Sequence, residues 1–419
     1  MSVDDRARPS DDDARACGDG ARAGSHAARV GGDGAGRAPF RPRLFAPGPV
    51  AVPPEVLEAL AQPVVHHRTD AFRVRFQRVR AALAEVLEVP GDDVMLLTGS
   101  GTTAFEAALI AAVPRGGHVL ALRGGKFGDR WAAMARAFGY RVSEHDVPWG
   151  RAFDVDGLRD RLVSAGRPDA VTLVHSETST GVLHDVAALA EAVRAHAPDA
   201  LVLVDAVTSL AAAELRPRVW GLDAVVAGSQ KGVMLPPGLG FAWLSERAWV
   251  RGEDAGRRVP AYTLDLHRER LRQRTGDSGT TPATSLVVAA EVALDLLLGE
   301  GLTRRRHALE RRNRALLAAG AVLGAEAFAE RPSPAVAAMT TPDGIAAPDV
   351  VRALAARGVR IAGGQDHLKG RLLRPSLLGY GDDYDAVALA AALEDAWRDL
   401  GRGVAHGTAV AAAMAVLAG

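Results

Sequence analysis

The lysines of this chain are the residues whose chemistry the sequence singles out. The chain has 419 residues and 50 basic side chains, of which only Lys126, Lys231 and Lys369 are lysines and 47 are arginines. Arginine supplies a positive charge but stays protonated, so it does not readily form an imine with an aldehyde as lysine does. Each lysine is therefore a candidate for chemistry that arginine cannot perform, with chance retention on the surface as the alternative.

Short hydrophobic runs that alternate with helical patterns determine the predicted architecture. Six runs are typical of buried strands: VMLL (94–97), HVLAL (118–122), AVTLVH (170–175), ALVLVD (200–205), AVVAG (224–228) and GFAWL (240–244). Helical periodicity appears between the earlier runs and after the last one, at 103–113, 127–138, 155–165, 186–196 and 285–298. Continuous apolar strands separated by amphipathic helices predict an α/β fold, with a mostly parallel sheet covered on both faces.

The residues that follow these strands carry the polar chemistry, because ligands of open α/β sheets bind beyond the carboxyl ends of the strands. The run TGSGTT follows the first strand and opens a helix. Its glycines and free N–H groups suit a phosphate, although a plain helix cap has the same pattern. Asp205 ends the fourth strand, where it is either a helix cap or an acid that pairs with a ligand. Lys231 follows the fifth strand in the run SQKG.

A lysine, an aspartate and a phosphate-binding helix start fit one chemical task, which is the use of pyridoxal phosphate. A lysine amine forms an imine with the aldehyde of this coenzyme and can then move the proton that transamination requires. A carboxylate beside the pyridine nitrogen keeps the ring protonated as an electron sink. The strand ends favour Lys231 as the imine donor, with Lys126 as the only rival nearby, whereas Lys369 lies in a loop predicted to be solvated.

Eight motifs in order extend this interpretation over most of the chain. They are LFAPGPVAVPPEVLEAL, HHRTDAFR, LLTGSGTTAFEAAL, GGKFGDRWA, VHSETSTGVL, VLVDAVTSL, AGSQKGVMLPPGLGF and IAGGQDHLKGRLLR. With them, residues 43–400 resemble the class V, fold-type I pyridoxal-phosphate aminotransferases, in the alanine/serine–glyoxylate (or pyruvate) branch. The resemblance implies an enzyme that moves an amino group from a small α-amino acid to a 2-oxo acid such as glyoxylate or pyruvate.

The resemblance also implies a role for each matching residue around the coenzyme. Lys231 forms the internal aldimine and Asp205 pairs with the pyridine nitrogen, so these two are the predicted catalytic residues. The residues that hold the phosphate are Ser100, Gly101 and Thr102, assisted by Gln230. The residues that contact the ring are Val207, which packs under it, Phe127, which stacks where the best-studied relatives have tryptophan, and Thr178, which donates toward the ring hydroxyl.

Two further positions concern the substrate and a second subunit. Arg374 matches the arginine that grips the substrate carboxylate with two parallel N–H donors, although a surface arginine is the alternative reading. Thr280 matches the residue that reaches the phosphate of the neighbouring subunit, which implies a homodimer with shared active sites. Two departures leave the substrate open: Pro375 follows Arg374, and Asp277 lies where some relatives place an aromatic residue. If Asp277 lies at the entrance of the active site, its carboxylate would favour a substrate whose side chain carries a hydrogen-bond donor or a positive charge.

Two other functions stay open on the sequence alone. A lyase or another eliminating enzyme can use the same fold, because a fold does not determine the reaction. A cysteine desulfurase is disfavoured, since it needs a mobile thiol and the only cysteine is Cys17 in the N-terminal segment. A non-catalytic protein that binds the coenzyme is the other alternative, and the set of Lys231, Asp205 and Arg374 argues against it.

Composition and charge limit the classes of partner. The chain is 48% hydrophobic and 24% charged, which is typical of a globular protein. Its 50 acidic side chains balance its 50 basic ones, so no overall field favours nucleic acid or an anionic membrane. One cysteine excludes a disulfide framework, and the histidines lack metal-ligand spacing. We therefore expect small-molecule substrates and no metal.

The sequence divides into four segments. Residues 1–39 contain no Leu, Ile, Phe, Tyr or Trp, which predicts a disordered N-terminal arm. Residues 40–299 form the predicted coenzyme-binding large domain. Residues 300–400 form a small α+β domain, with helices at 302–323 and 383–400 and weak strands near 335–340 and 372–374. Residues 401–419 are a tail that includes a docked or frayed helix end. The arm lacks the pattern of a secretory signal, so a cytoplasmic location is the default expectation.

Overall fold

The computed structural model describes residues 41–253 and 261–419, so the arm predicted at 1–39 lies outside the described residues. The strands are β1 (Arg43–Leu44), β2 (Val94–Gly99), β3 (His118–Arg123), β4 (Arg141–Asp146), β5 (Ala170–Val174), β6 (Ser176–Glu177), β7 (Val182–Leu183), β8 (Leu201–Asp205), β9 (Ala224–Gly228), β10 (Gly238–Leu244), β11 (Glu326–Ala327), β12 (Met339–Thr340), β13 (Val359–Arg360), β14 (Ala362–Gly363) and β15 (Leu372–Arg374). The six strands predicted from hydrophobic runs are β2, β3, β5, β8, β9 and β10.

The helices cover both the predicted segments and several that the periodicity did not reveal. They are α1 (Pro54–Leu60), α2 (Asp70–Val86), α3 (Gly101–Ala112), α4 (Lys126–Ala137), α5 (Val155–Ala165), α6 (Val186–His196), α7 (Glu246–Glu253), α8 (Leu266–Gln273), α9 (Thr284–Glu300), α10 (Leu302–Val322), α11 (Ala347–Ala356), α12 (Asp383–Asp399) and α13 (Thr408–Ala418). A short 3₁₀ turn spans Asp366–Leu368. The predicted helices at 155–165 and 186–196 have the observed bounds, and those at 302–323 and 383–400 each differ from the observed helix by one residue.

A seven-stranded sheet positions the residues that could do chemistry. Its order is β2-β10-β9-β8-β5-β3-β4, and the strands from β9 to β4 are parallel to their neighbours. Strand β10 is antiparallel to both β2 and β9, so the predicted mostly parallel sheet is confirmed. Asp205 at the end of β8 pairs with Val174 on β5 and with Val226 on β9. The carboxyl ends of these three strands therefore meet at one edge of the sheet.

Alternating residues of the central strand pack into two different cores. Val202 and Val204 of β8 belong to the cluster that includes Leu189 of α6, whereas Leu203 belongs to the cluster that includes Phe105 of α3. Successive side chains of a strand point to opposite faces, so each face of the sheet has its own hydrophobic layer. This explains the continuous apolar strand pattern.

A smaller antiparallel sheet lies in the C-terminal part of the chain. Its order is β11-β12-β15-β14, and Arg374 ends its strand β15. Helix α13 packs against α10 and α12, and its residues Ala409 and Ala413 are fully buried. The helix end expected in the segment 401–419 is therefore docked on this part of the chain. No helix in the two described ranges is both long and apolar enough to cross a membrane.

Candidate active site

A cavity of about 240 Å³ lies beyond the carboxyl ends of β8 and β9, beside the start of α3. The predicted coenzyme-binding residues that line it are Ser100, Gly101, Thr102, Phe127, Thr178, Asp205, Val207, Gln230 and Lys231. The side chains that complete the lining include Phe105, Arg130 and Thr208, next to the backbone turn at Gly48 and Pro49. Residues that are far apart in the sequence thus line one cavity at the sheet edge.

Lys231 is a buried amine that lines this cavity. Its side chain comes three residues after β9, and its Nζ donates a hydrogen bond to the carbonyl oxygen of Pro47 at 2.7 Å. Burial lowers the pKa of Lys231 to about 8, while the charge of Asp205 opposes this shift. The amine is therefore far easier to deprotonate than an ordinary lysine, and deprotonation is what attack on an aldehyde requires.

The turn at Gly48 encloses that amine. Gly48 has a φ of +147°, and a Cβ atom built on it would lie 2.3 Å from Nζ of Lys231. Only glycine combines this backbone conformation with the space that the lysine occupies. The motif LFAPGPV therefore contributes a wall of the site.

Asp205 is a buried carboxylate on the same edge. It is 3% exposed and accepts a hydrogen bond from the backbone N–H of Val207 at 2.8 Å. Burial raises the pKa of Asp205 to about 8, and the nearby cations of Lys231 and Arg130 oppose this rise. A cation placed against Asp205 would stabilise its ionised form.

The start of α3 combines a helix cap with open donors. Ser100 accepts a hydrogen bond from the N–H of Thr103 at 3.3 Å, and Thr103 accepts one from the N–H of Ser100 at 3.0 Å. This reciprocal capping box is the structural alternative for TGSGTT, and the hydroxyls of Ser100 and Thr103 also lie within hydrogen-bond distance of each other, at 3.3 Å. The side-chain oxygen of Gln230 is buried without a hydrogen-bond partner among the described residues. An amide oxygen only accepts hydrogen bonds, so Gln230 would have to turn its NH₂ group toward an anion bound at this helix start.

Glu177 anchors the helix that carries Phe127. The carboxylate is 1% exposed and accepts hydrogen bonds from the backbone N–H groups of Phe127 at 3.1 Å and Gly128 at 3.2 Å. The N–H and the hydroxyl of Ser179 donate to its other oxygen. Burial raises the pKa of Glu177, and these four donors oppose that rise. A negative group at the N-terminus of a helix also complements the helix dipole, so Glu177 fixes the start of α4 beside the cavity.

Arg374 is held rigidly behind Thr178. Its Nε donates to the carbonyl oxygen of Gly363 and its Nη1 to that of Thr178, both at 2.8 Å. Arg374 is 6% exposed, so the alternative of a surface arginine is wrong. Burial lowers the pKa of Arg374 to about 10, and the charge of Glu177 opposes this shift. The Nη2 group has no hydrogen-bond partner among the described residues, which leaves donors for an anion.

The remaining predicted residues lie away from the cavity. Thr280 is exposed, and it is the one predicted coenzyme-binding residue that does not line the cavity of its own chain. Asp277 accepts a hydrogen bond from Arg73 at 3.2 Å and does not line the cavity of its own chain. Lys126 forms an ion pair with Asp366 at 2.9 Å, and Lys369 is exposed.

Arg130 and Thr208 are lining residues that the sequence analysis missed. Arg130 lies three residues after Phe127 on α4, and residues at that spacing share a helix face, so the pattern could have revealed it. The hydroxyls of Thr208 and Thr178 are hydrogen-bonded at 2.6 Å. The local sequence contains no pattern that predicts this contact.

Comparison with known proteins identifies a family whose sequence model matches most of the described chain. Residues 44–380 match the sequence model of the family Aminotransferase class-V. A relative from Anabaena cylindrica named soluble hydrogenase 42 kDa subunit is 38% identical, over 89% of this chain and 98% of the relative. The serine–glyoxylate aminotransferase of Methylorubrum extorquens is 30% identical, over 91% of this chain and 98% of the relative. The solved aspartate aminotransferase of subgroup IV from Thermus thermophilus is 39% identical with a TM-score of 0.80, covering 85% of this chain and 99% of that one.

Proposed function

This chain belongs to the class-V aminotransferases, which depend on pyridoxal phosphate, and from that premise we propose its reaction. The enzyme transfers the amino group of a small α-amino acid of the alanine or serine type to a 2-oxo acid such as glyoxylate or pyruvate. The observation that carries the proposal is the burial of Lys231 and Asp205 in one cavity, with Arg374 fixed beside it. The name of the Methylorubrum relative supports glyoxylate as an acceptor.

The residues of the cavity fit pyridoxal phosphate. A Cβ atom on Gly101 would lie 2.6 Å from Cγ2 of Val207, so glycine lets this apolar side chain pack directly against the start of α3. The unpartnered side-chain oxygen of Gln230 identifies an amide whose orientation a ligand would set. Phe127 and Val207 provide apolar surfaces for an aromatic ring. Ser100, Gly101, Thr102 and Gln230 would hold the phosphate, and Thr178 would donate to the ring hydroxyl.

Lys231 and Asp205 divide the proton chemistry between them. When bound, pyridoxal phosphate supplies an aldehyde for amines and a ring that withdraws electrons from the substrate carbon. The Nζ atom of Lys231 provides the attachment amine, and its lowered pKa lets the same atom take up and return a proton near neutral pH. The carboxylate of Asp205 would hold a proton on the ring nitrogen, and that positive charge would stabilise the ionised acid.

Arg374 orients the substrate. The carbonyl oxygens of Gly363 and Thr178 hold the plane of its guanidinium group, so little side-chain freedom is lost when a carboxylate binds. A bidentate pair with the substrate carboxylate fixes the direction of the Cα–H bond, which is what proton removal requires.

A second subunit completes the proposed site. Thr280 is exposed and separate from the cavity of its own chain, so we propose that it reaches the phosphate site of a partner in a homodimer. Mixing Lys231→Ala chains with Thr280→Val chains tests this arrangement. In a mixed dimer, one of the two sites combines the intact Lys231 of one chain with the intact Thr280 of the other, so coenzyme affinity should recover in half of its sites. A monomer in sedimentation experiments would contradict the arrangement.

The function is tested by a panel of amino donors and oxo-acid acceptors on the purified holoenzyme, with Lys369→Ala as the control for Lys231→Ala. We expect alanine or serine with glyoxylate or pyruvate to give matched consumption of acceptor and formation of product. Lys231→Ala should abolish turnover, while Lys369→Ala at an exposed position should leave it unchanged. The Thermus structure is named as an aspartate aminotransferase, so a preference for aspartate would show that alanine and serine are not the main amino donors. Release of oxo acid without acceptor consumption would contradict transamination and favour elimination.

A further inference from the structure

Arg130 places an unpaired cation in the cavity. It lies on α4, and its Nη1 donates a hydrogen bond to Oγ1 of Thr102 at 3.2 Å. Its guanidinium carbon lies 4.8 Å from the centre of the Phe127 ring. Arg130 forms no salt bridge with any described residue, whereas Arg136 on the same helix pairs with Glu144. A cation that is only half exposed and lacks an acid is the arrangement of a binding site for an anion.

Arg130 lies close enough to Lys231 and Asp205 for its charge to affect both side chains. Its charge lowers the pKa of both Lys231 and Asp205, so it lies close enough to act on the amine and the acid at once. Thr102, to which it donates, belongs to the first turn of α3, where the backbone N–H groups point outward. The guanidinium and the helix start therefore face the same part of the cavity.

We propose that Arg130 is a phosphate-binding residue, which pairs with the phosphate of the coenzyme beside Thr102 at the start of α3. This inference rests on the proposed function, because it assumes that pyridoxal phosphate occupies the cavity. A planar guanidinium group has several N–H donors, and only one contact, that to Thr102, uses them among the described residues. The free donors can form charge-assisted hydrogen bonds with phosphate oxygens. The competing source of an anion is the side-chain carboxylate of a dicarboxylic substrate, which would lie over the ring instead of at the helix start.

Comparing pyridoxal phosphate with pyridoxal tests this role, because pyridoxal lacks only the phosphate. The affinities of both compounds for the apoenzyme are measured by fluorescence for the wild type, Arg130→Gln, Arg130→Lys and the control Arg136→Gln. Arg136 lies on the same helix, is half exposed and pairs with Glu144 away from the cavity. Circular dichroism checks that each variant is folded, and Arg130→Lys keeps the charge if the glutamine variant does not fold.

We expect Arg130→Gln to weaken pyridoxal phosphate binding by about tenfold to a hundredfold and pyridoxal binding by less than about threefold. Arg130→Lys should give an intermediate loss, and Arg136→Gln should change neither affinity. Equal weakening of both ligands, or no change in either, would overturn the inference. Unchanged coenzyme affinity with a selective loss of aspartate turnover would overturn it in favour of a substrate carboxylate. Failure of the wild type to bind pyridoxal phosphate would overturn the proposed function itself.

Discussion

The carboxylate of Glu177 accepts the backbone N–H of Phe127 at 3.1 Å, across 50 residues of sequence. Glu177 belongs to the short strand β6 and Phe127 to the first turn of α4, so this contact fixes the cavity-lining side chain of Phe127 at the sheet edge. No side chain of α4 caps its own start, and Glu177 supplies the missing acceptor instead. The position of Phe127 and Arg130 therefore depends on a buried acid that is hydrogen-bonded to neither Lys231 nor Arg374.

Replacing Glu177 by glutamine should weaken both the fold and the coenzyme site. All four contacts of the carboxylate are donors, so an amide NH₂ would oppose at least one of them. We expect the free energy of unfolding to fall by about 1–3 kcal/mol and coenzyme affinity to fall with it. Urea unfolding and coenzyme fluorescence measure these effects. Glu191→Gln, at an exposed site on α6, is the control, and equal stability of the two variants would contradict the anchoring role.

Replacing Gly48 by alanine should displace Lys231 without unfolding the chain. The new Cβ would lie 2.3 Å from Nζ, so the amine must leave its position, and turnover should fall by about a hundredfold. Gly91→Ala is a matched control, because Gly91 also has a positive φ but a Cβ there would meet no atom within 4 Å. If both variants lose activity to the same degree, backbone strain and not the collision with Lys231 is responsible.

The central strands, and the polar residues that line one cavity at their ends, could be predicted from the sequence, because buried parallel strands are continuous apolar runs and their following residues share one edge. Strand β4 was missed because its sequence, RVSEHD, is polar and it lies at the edge of the sheet, where only β3 pairs with it. The wall at Gly48 depends on a contact across 184 residues, between Lys231 and Pro47. Local spacing contains no signal for such a contact, and the pairing of Asp277 with Arg73 was missed for the same reason.

The rate of coenzyme attachment should depend on pH through the amine of Lys231. Burial lowers the pKa of this lysine to about 8 from the ordinary value of 10.5, so its reactive unprotonated form accumulates at lower pH. We expect the rate with the apoenzyme to rise with pH, with a midpoint near the lowered pKa, and then to level off. Stopped-flow absorbance from pH 6 to 10 measures this rate, with a free lysine derivative as the reference. A midpoint at the ordinary lysine value would contradict burial of the amine.

Replacing Arg374 by lysine should impair substrate binding although the charge is kept. Lysine cannot donate two parallel hydrogen bonds to a carboxylate, and it would leave the carbonyl oxygens of Gly363 and Thr178 without their partner. We expect kcat/KM for amino donors to fall by about tenfold to a hundredfold, while coenzyme affinity stays the same. Steady-state kinetics of Arg371→Gln, an exposed arginine before β15, provide the control. An unaltered kcat/KM in Arg374→Lys would contradict the proposal that Arg374 binds the substrate carboxylate.

Borohydride reduction of the holoenzyme, followed by peptide mapping, identifies the lysine to which the coenzyme is attached. The reduction makes the link between the coenzyme and its lysine permanent, and the chain has only three lysines to distinguish. We expect the peptide containing Lys231 to carry the coenzyme and the peptides containing Lys126 and Lys369 to lack it. A coenzyme found on either of those two lysines, or on none of the three, would contradict it.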